Sequence, residues 1–393
     1  MNHGIIGCGN HGCVVKPSSI ATDTVTAMEF VYLRTERGTH STEHHMMRDG
    51  WTQIWRDLVN ITNVGFKHLK SRKGIQMFDP KTDFDKEVQS VMDIITIMGE
   101  EFVERNTAMV LPVIGTKRII GIAVHGGSVD DISDKIQYLI PTRICERNVL
   151  SMKPLSAECI EAMTLRALET IEQLQEKGLI HSDIKADNIV FCGPGDYRLI
   201  DWGELQKADS TNKPVASLAT NNPMSVKAEP LPLIAKYALQ SRFVIDFMQK
   251  KRGIRPKSSM ASDYTEWLNY ITVSIHKQTE DIIRKESLDG DGIIAFFREK
   301  YDLFSLGVAI LQVIDWDNVN NRMLHVAARL MLPDSKWENA KEAKEEIISQ
   351  TTAKEDIISQ TTDQSVSGGA YITKVSTTFT LVIVAMLSSL YCL

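Results

Sequence analysis

The pattern of apolar and polar positions changes period several times along this chain, and each change marks an expected element. Residues 5–16, "IIGCGNHGCVVK", alternate glycine with apolar positions, which predicts a strand, a tight turn and a second strand. Composition is mixed from Thr24 to Lys81, with a helix expected within 49–70, "DGWTQIWRDLVNITNVGFKHLK". Helical spacing returns in 83–102, where Val88, Met92 and Ile95 recur on one face and acids fill the first turn. "MVLPVIG", "IIGIAVHGG" and "KIQYLIP" read as strands. Residues 156–178 predict a strong amphipathic helix, with Ser156 as its cap and Gly178 as its stop. Two short strands, "NIVF" and "YRLID", flank the turn "CGPGD", and the apolar density of "KYDLFSLGVAILQVI" predicts a buried helix.

The C-terminal part has a different texture. "KEEIISQTTAKEDIISQTTD", residues 344–363, repeats itself at a ten-residue step. Two copies do not build a solenoid, so residues 336–370 read as a polar linker. The last stretch, within 371–393, is apolar and uncharged from Val375 onward. At a rise of ~1.5 Å per residue it is just long enough to cross a bilayer core. Its serines and threonines leave three readings open: a membrane anchor, a terminal strand or a buried helix.

Bulk properties narrow the function classes. The chain has 393 residues, 43% of them hydrophobic and 24% charged, as in a globular protein that buries a core. A net charge of −6 argues against wholesale binding to nucleic acid or to an anionic membrane. The six cysteines form no CxxC pair and no even framework, which points to a reducing, cytoplasmic setting without structural zinc. The first ten residues carry no charged region followed by an apolar one, so no secretory signal is expected.

Four separated pieces carry candidate chemistry. Gly7, Gly9, Gly12 and Val14 follow the spacing G-x-G-x-x-G-x-V. Absent Cβ atoms let backbone N–H groups approach phosphate oxygens, and the valine would cover an adenine ring. "CVVKPSS" then continues as a strand and stops at proline, which favours a phosphate flap over a dinucleotide fold. The second piece, "GLIHSDIKADNIVF", sets His181, Asp183, Lys185 and Asn188 between a long helix and a short strand. There an aspartate can accept a hydroxyl proton, a lysine can neutralise a transferring phosphoryl group, and an asparagine can give an oxygen to a divalent metal. In the third, "LIDWGE", Asp201 stands at a strand end and can bridge a metal to phosphates. In the fourth, "YDLFSLGV", Asp302 begins a buried helix, where a carboxylate is costly unless it accepts hydrogen bonds.

With these pieces the chain resembles the eukaryotic-type protein kinases: "HSDIKADN" stands for the catalytic loop, "DWG" for the DFG motif and "DLFSLG" for the αF helix, over about residues 5–335. Its general look, with "NNPMS" where an A-P-E motif is expected, is similar to divergent kinases of large DNA viruses, hence of a host cell. The resemblance implies an α+β, bilobal kinase-like fold within 1–335. A small β-rich lobe would reach about residue 141 and a mainly helical lobe would follow from 142. It implies ATP and Mg2+ as cofactors, a protein substrate as partner, catalytic roles for Asp183 and Lys185, and metal ligation by Asn188 and Asp201. Gly7, Gly9, Gly12 and Val14 would bind the nucleotide beside the linker "YLIPTRICE", and Asp302 would fasten the catalytic loop from below.

The chain departs from the family pattern at several points. Ser182 replaces the usual arginine, so control by a phosphorylated activation loop is not implied. Trp202 replaces phenylalanine, and about a hundred residues separate "DWG" from "DLFSLG". No V-A-I-K lysine is evident. Glu87 is the expected ion-pair partner for it, but Lys67, Lys70 and Lys73 fall in "FKHLKSRKG", which reads as a basic surface turn. Lys16, two residues past Val14 and on the same strand face, is the preferred substitute; Lys374 in "GGAYITKVS" is the other. Three functions follow: an active Ser/Thr kinase, a pseudokinase scaffold in which the lysine is lost, or a small-molecule phosphotransferase with a similar H-x-D…N loop. Lys185 and "DLFSLG" favour the protein-kinase branch.

Overall fold

The glycine-punctuated N-terminus folds as an antiparallel hairpin, strands β1 (Ile5–Gly9) and β2 (Gly12–Val15), with Gly9 paired to Gly12. The structure, a computed structural model, describes residues 5–9, 12–20, 25–69, 80–126, 136–208, 290–315, 320–332 and 337–350, with short helical pieces between 274 and 287. Chain order continues with β3 (Ala27–Glu36), β4 (Thr39–Met47), helix α1 (Trp51–Val59), β5 (Val64–Leu69), α2 (Pro80–Met98), α3 (Glu100–Asn106), β6 (Val113–Ile114), β7 (Lys117–His125) and β8 (Ile136–Arg143). After these come β9 (Arg147–Asn148), α4 (Ala157–Glu176), β10 (Leu179–Ile180), β11 (Ile189–Gly193), β12 (Asp196–Leu199), β13 (Gln206–Lys207), α5 (Gly290–Val313) and α6 (Asn321–Met331). The architecture is therefore mixed α+β.

An eight-stranded antiparallel sheet runs in the order β1-β2-β5-β8-β7-β3-β4, with β6 on β7. Side chains alternate across it. Val15, Phe30, Phe66, Ile122 and Leu139 point to one face and form a cluster closed by Trp55 and Leu58 of α1, with Trp55 stacked on Phe66 at 5.4 Å. The other face carries α2, whose Phe84, Val88, Val91, Met92 and Ile95 are buried. Gly121 on β7 permits that approach, since a Cβ there would lie 2.7 Å from Phe84 Cζ. Because Phe66 faces the α1 side, its neighbour Lys67 faces α2.

The second assembly is helical, with the small sheets β9-β11-β12 and β10-β13 on it. Ser156 caps α4 by accepting a hydrogen bond from Cys159 N at 3.3 Å, and Gly178 ends the segment at φ +64°, both as expected. Helix α5 packs on α6 at Gly307, where a Cβ would meet Met331 Cγ at 2.6 Å and the Ala327 carbonyl oxygen at 2.8 Å. A backbone oxygen cannot step aside as a side chain can. Gly307→Ala is expected to destabilise the fold by about 1–3 kcal/mol, read as a fall in the thermal midpoint; an unchanged midpoint would contradict this packing.

Several expectations are corrected. The helix expected within 49–70 ends at Val59, and 64–69 is a buried strand in mid-sheet, not part of a helix running into a basic surface turn. Within 109–115 only Val113 and Ile114 are strand. The hairpin β3–β4 was not anticipated, because β4 is an edge strand whose largely exposed sequence, "THSTEHHMM", gives no apolar alternation. Asp302 does not begin its helix, since α5 starts at Gly290. Cys145 and Cys192, expected to be unpaired thiols, form a disulfide. No described helix is long and apolar enough to cross a membrane. The chain divides into two compact units, 1–344 and 345–393; in the second, the described residues 345–350 are helical. The 375–393 tail, Lys374 and "NNPMS" lie outside the described residues.

Candidate active site

The loop after α4 is built from below. Strand β10, both of whose residues are buried, delivers the backbone to His181 and Ser182. Their consecutive N–H groups donate to the two carboxylate oxygens of Asp302, at 2.7 Å and 2.9 Å. Ser182 adopts φ +62°, unusual for a residue with a Cβ, and Asp302 holds it there. Burial pushes the Asp302 carboxyl up to about 6, although both N–H donors oppose the shift. His181 is fully buried, and that burial pushes its imidazole down to about 4, leaving the ring neutral. Its Nδ1 accepts the Asp183 N–H at 3.3 Å, and its ring lies 4.6 Å from that of Trp202.

Asp183 is thereby aimed by its own backbone. Its carboxylate accepts from Lys185 Nζ at 2.8 Å and 3.1 Å and from Asn188 Nδ2 at 2.8 Å. The same Asn188 amide also donates to the Asp183 carbonyl at 2.9 Å. Burial raises the Asp183 carboxyl above its ordinary value, against the lowering effect of Lys185 and Asn188. A carboxylate with raised basicity, still paired to an ammonium, can orient a hydroxyl and take its proton.

Asp201 reaches the same region through the ladder between β11 and β12, which continues as Ile200 N donating to Asn188 O at 2.9 Å. Trp202 anchors the turn: it is buried, its Nε1 donates to Leu199 O at 3.1 Å, and Phe102 meets its ring edge-on. The tryptophan in place of phenylalanine thus acts as a core plug. Asp201 itself sits at φ +61° with its side chain 42% exposed.

Across from it stands Lys67, on the α2 face of β5. Its ammonium pairs with Glu87 of α2 and lies 3.7 Å from Asp201. Burial by itself would lower the Lys67 pKa, but Glu87 and Asp201 outweigh it and hold the ammonium above its ordinary value. Glu87 is the partner expected for such a lysine; Lys16 is not the lysine it meets. Lys16 is exposed where β2 gives way to Pro17, and it borders a hollow with Trp55, Val59 and Ile61. Val14 does share the Lys67 face, being its direct partner across β2 and β5. Gly12 begins the same strand β2, and Gly7 and Gly9 lie on the edge strand β1, one strand further out.

The sequence did hold a signal for Lys67. Val64-Gly65-Phe66-Lys67 has the form of V-A-I-K with glycine for alanine and phenylalanine for isoleucine. The glycine has a local cause, since a Cβ at 65 would lie 3.1 Å from Val15 O and 3.1 Å from Ile144 Cγ1. The basic residues that follow hid the strand.

Asn188 and Asp201 suit magnesium in kind, because Mg2+ takes one or two protein oxygens and completes its shell with phosphates and water. Among the described residues no group of three or more His, Cys, Asp or Glu is placed to hold a metal alone.

Comparison with known proteins agrees at a coarse level. No family model matches the chain. Local segments are similar to the Serine/threonine-protein kinase shk1/pak1 of Schizosaccharomyces pombe, 38% identical over 69 residues, 18% of this chain and 10% of that kinase. They are also similar to the Serine/threonine-protein kinase TAO3 of Xenopus laevis, 40% identical over 60 residues (15% and 7%), and STE20 of Yarrowia lipolytica, 26% identical over 89 residues (23% and 8%). The chain thus spans a tenth or less of the length of these relatives. At this level it is kinase-like, sharing short segments with Ser/Thr protein kinases.

Proposed function

We propose that this chain is an ATP- and Mg2+-dependent protein kinase of bilobal kinase type, transferring the γ-phosphoryl group to Ser or Thr of a protein substrate. One observation carries the reading: Lys67, paired to Glu87, stands 3.7 Å from Asp201, whose strand hydrogen-bonds to Asn188 of the Asp183 loop. Cations and carboxylates from four separate chain segments converge without forming a hydrophobic core. That suits phosphoryl transfer, in which positioning and electrostatics supply most of the rate.

In this reading Asp183 orients the substrate hydroxyl and accepts its proton, while Lys185 neutralises charge on the phosphoryl group in flight. Lys67 binds the non-transferred phosphates and Glu87 keeps it in place. Asn188 and Asp201 would hold the magnesium, which supplies charge neutralisation at the phosphates. The scaffold alternative drew its strength from a missing lysine, and Lys67 removes that ground.

The test is magnesium-dependent transfer of labelled γ-phosphate to generic protein substrates by the full chain. Asp183→Asn is expected to reduce the rate by about a hundredfold or more, and Asp201→Asn to remove the magnesium-dependent transfer. Folded protein that binds nucleotide but transfers nothing would instead support the scaffold.

A further inference from the structure

The segment joining β8 to β9 is tied down at successive residues. Arg143 N donates to Ala108 O at 2.7 Å, Ile144 N to Asn63 O at 2.7 Å, and Glu146 N to Phe191 O at 2.9 Å. Between the last two, Cys145 is bonded to Cys192 of β11, with Cα atoms 4.1 Å apart and a sequence separation of 47. The Ile144 side chain crosses above Gly65, and Val14 Cγ1 comes within 3.4 Å of the same point. Val14, Gly65 and Ile144 therefore meet two residues along β5 from Lys67, forming the apolar walls nearest the candidate phosphate site. A heteroaromatic base held there needs such walls and a backbone donor. The adjoining linker donor, Ile144 N–H, is already spent on Asn63.

We propose that Cys145 and Cys192 form a reversible thiol–disulfide modification site that controls nucleotide binding. The closed bond keeps the linker in the arrangement where the Ile144 amide serves Asn63, and opening it frees the linker to offer that amide to the base. This rests on the nucleotide reading of the cleft. Both cysteines are only part-buried, so a small disulfide can reach them. With glutathione disulfide as oxidant, one cysteine thiolate attacks its sulfur and releases a glutathione thiolate, leaving a mixed disulfide. The second cysteine thiolate then displaces the remaining glutathione. Two electrons pass from the protein to the oxidant, and the two cysteine protons end on the two released thiols.

The full chain, treated with glutathione disulfide or with reduced glutathione and then freed of both, is alkylated and peptide-mapped, and titrated in parallel with magnesium and ATP. The expected map joins the Cys145 and Cys192 peptides only after oxidation, while Cys159, a thiol in the structure, alkylates in both states as an internal control. Oxidised protein is expected to bind ATP about tenfold more weakly than reduced. Cys145→Ser and Cys192→Ser, checked for folding by thermal melting, should bind like reduced wild type whatever the treatment. Alkylation of both cysteines after oxidation would overturn the site. A joined pair with equal ATP affinity in the two states would overturn the control and leave the kinase reading standing. No ATP binding in either state would overturn the nucleotide reading and the control together, and the map alone would then decide whether the disulfide forms.

Discussion

Lys67→Met is expected to lower phosphoryl transfer by about a hundred- to a thousandfold, with little change in melting temperature. The asymmetry follows from where the ammonium sits. In the proposed reaction its value is electrostatic and local: it is a cation beside Asp201, held charged by Glu87 and Asp201 against a burial that favours the neutral amine. Its value to the fold is small, because the Glu87 side chain left behind is 31% exposed and can be hydrated. Lys16→Met should keep wild-type activity, since Lys16 borders the Trp55 hollow and not the carboxylates. Lys67→Arg should recover little, because a planar guanidinium cannot replace a compact ammonium between two carboxylates. Glu87→Gln removes one of the charges that keep Lys67 protonated, so the alkaline limb of its pH–rate profile should move to lower pH. Loss of activity in Lys16→Met with retention in Lys67→Met would reverse the assignment of the lysine.

The contrast between these two lysines shows what was legible in the sequence. Features set by local chemistry could be read directly. Ser156 and Gly178 bounded α4, the spacing of Asp183, Lys185 and Asn188 marked a loop that converges in space, and Glu87 stood at the right place on its helix. Features set by tertiary approach could not. Val15 O and Ile144 crowd the Cβ position of Gly65, and the departures from V-A-I-K at Gly65 and Phe66, with the basic residues that follow, hid the strand that carries Lys67. Strand β4 is exposed along much of its length, so periodicity carries no mark of it. Cys145 and Cys192 become neighbours only because β11 returns beside the linker, which no spacing along the chain records.

Asp302→Ala is expected to have the largest effect on stability, a loss of about 2–4 kcal/mol, and the loss should grow on acidification. Two buried N–H groups, of His181 and Ser182, would be left without an acceptor, at about 1–3 kcal/mol each; relief from burying the carboxylate takes back part. The pH dependence follows from two opposed shifts. Burial raises Asp302 from 3.8 to about 6, so the folded state binds its proton more tightly, and this group's contribution declines as pH rises through that window. Burial lowers His181 from 6.5 to about 4, so the unfolded state binds its proton more tightly, and stability is lost as pH falls through that window. Where the windows overlap the two slopes offset each other, and wild-type stability should be nearly level. Removing Asp302 leaves the His181 slope unopposed. The gap in urea midpoint between wild type and Asp302→Ala should therefore be wider at about pH 5 than at about pH 7. A gap that narrows on acidification would mean that the folded state holds the Asp302 proton less tightly than the unfolded chain, so that burial does not raise this carboxyl.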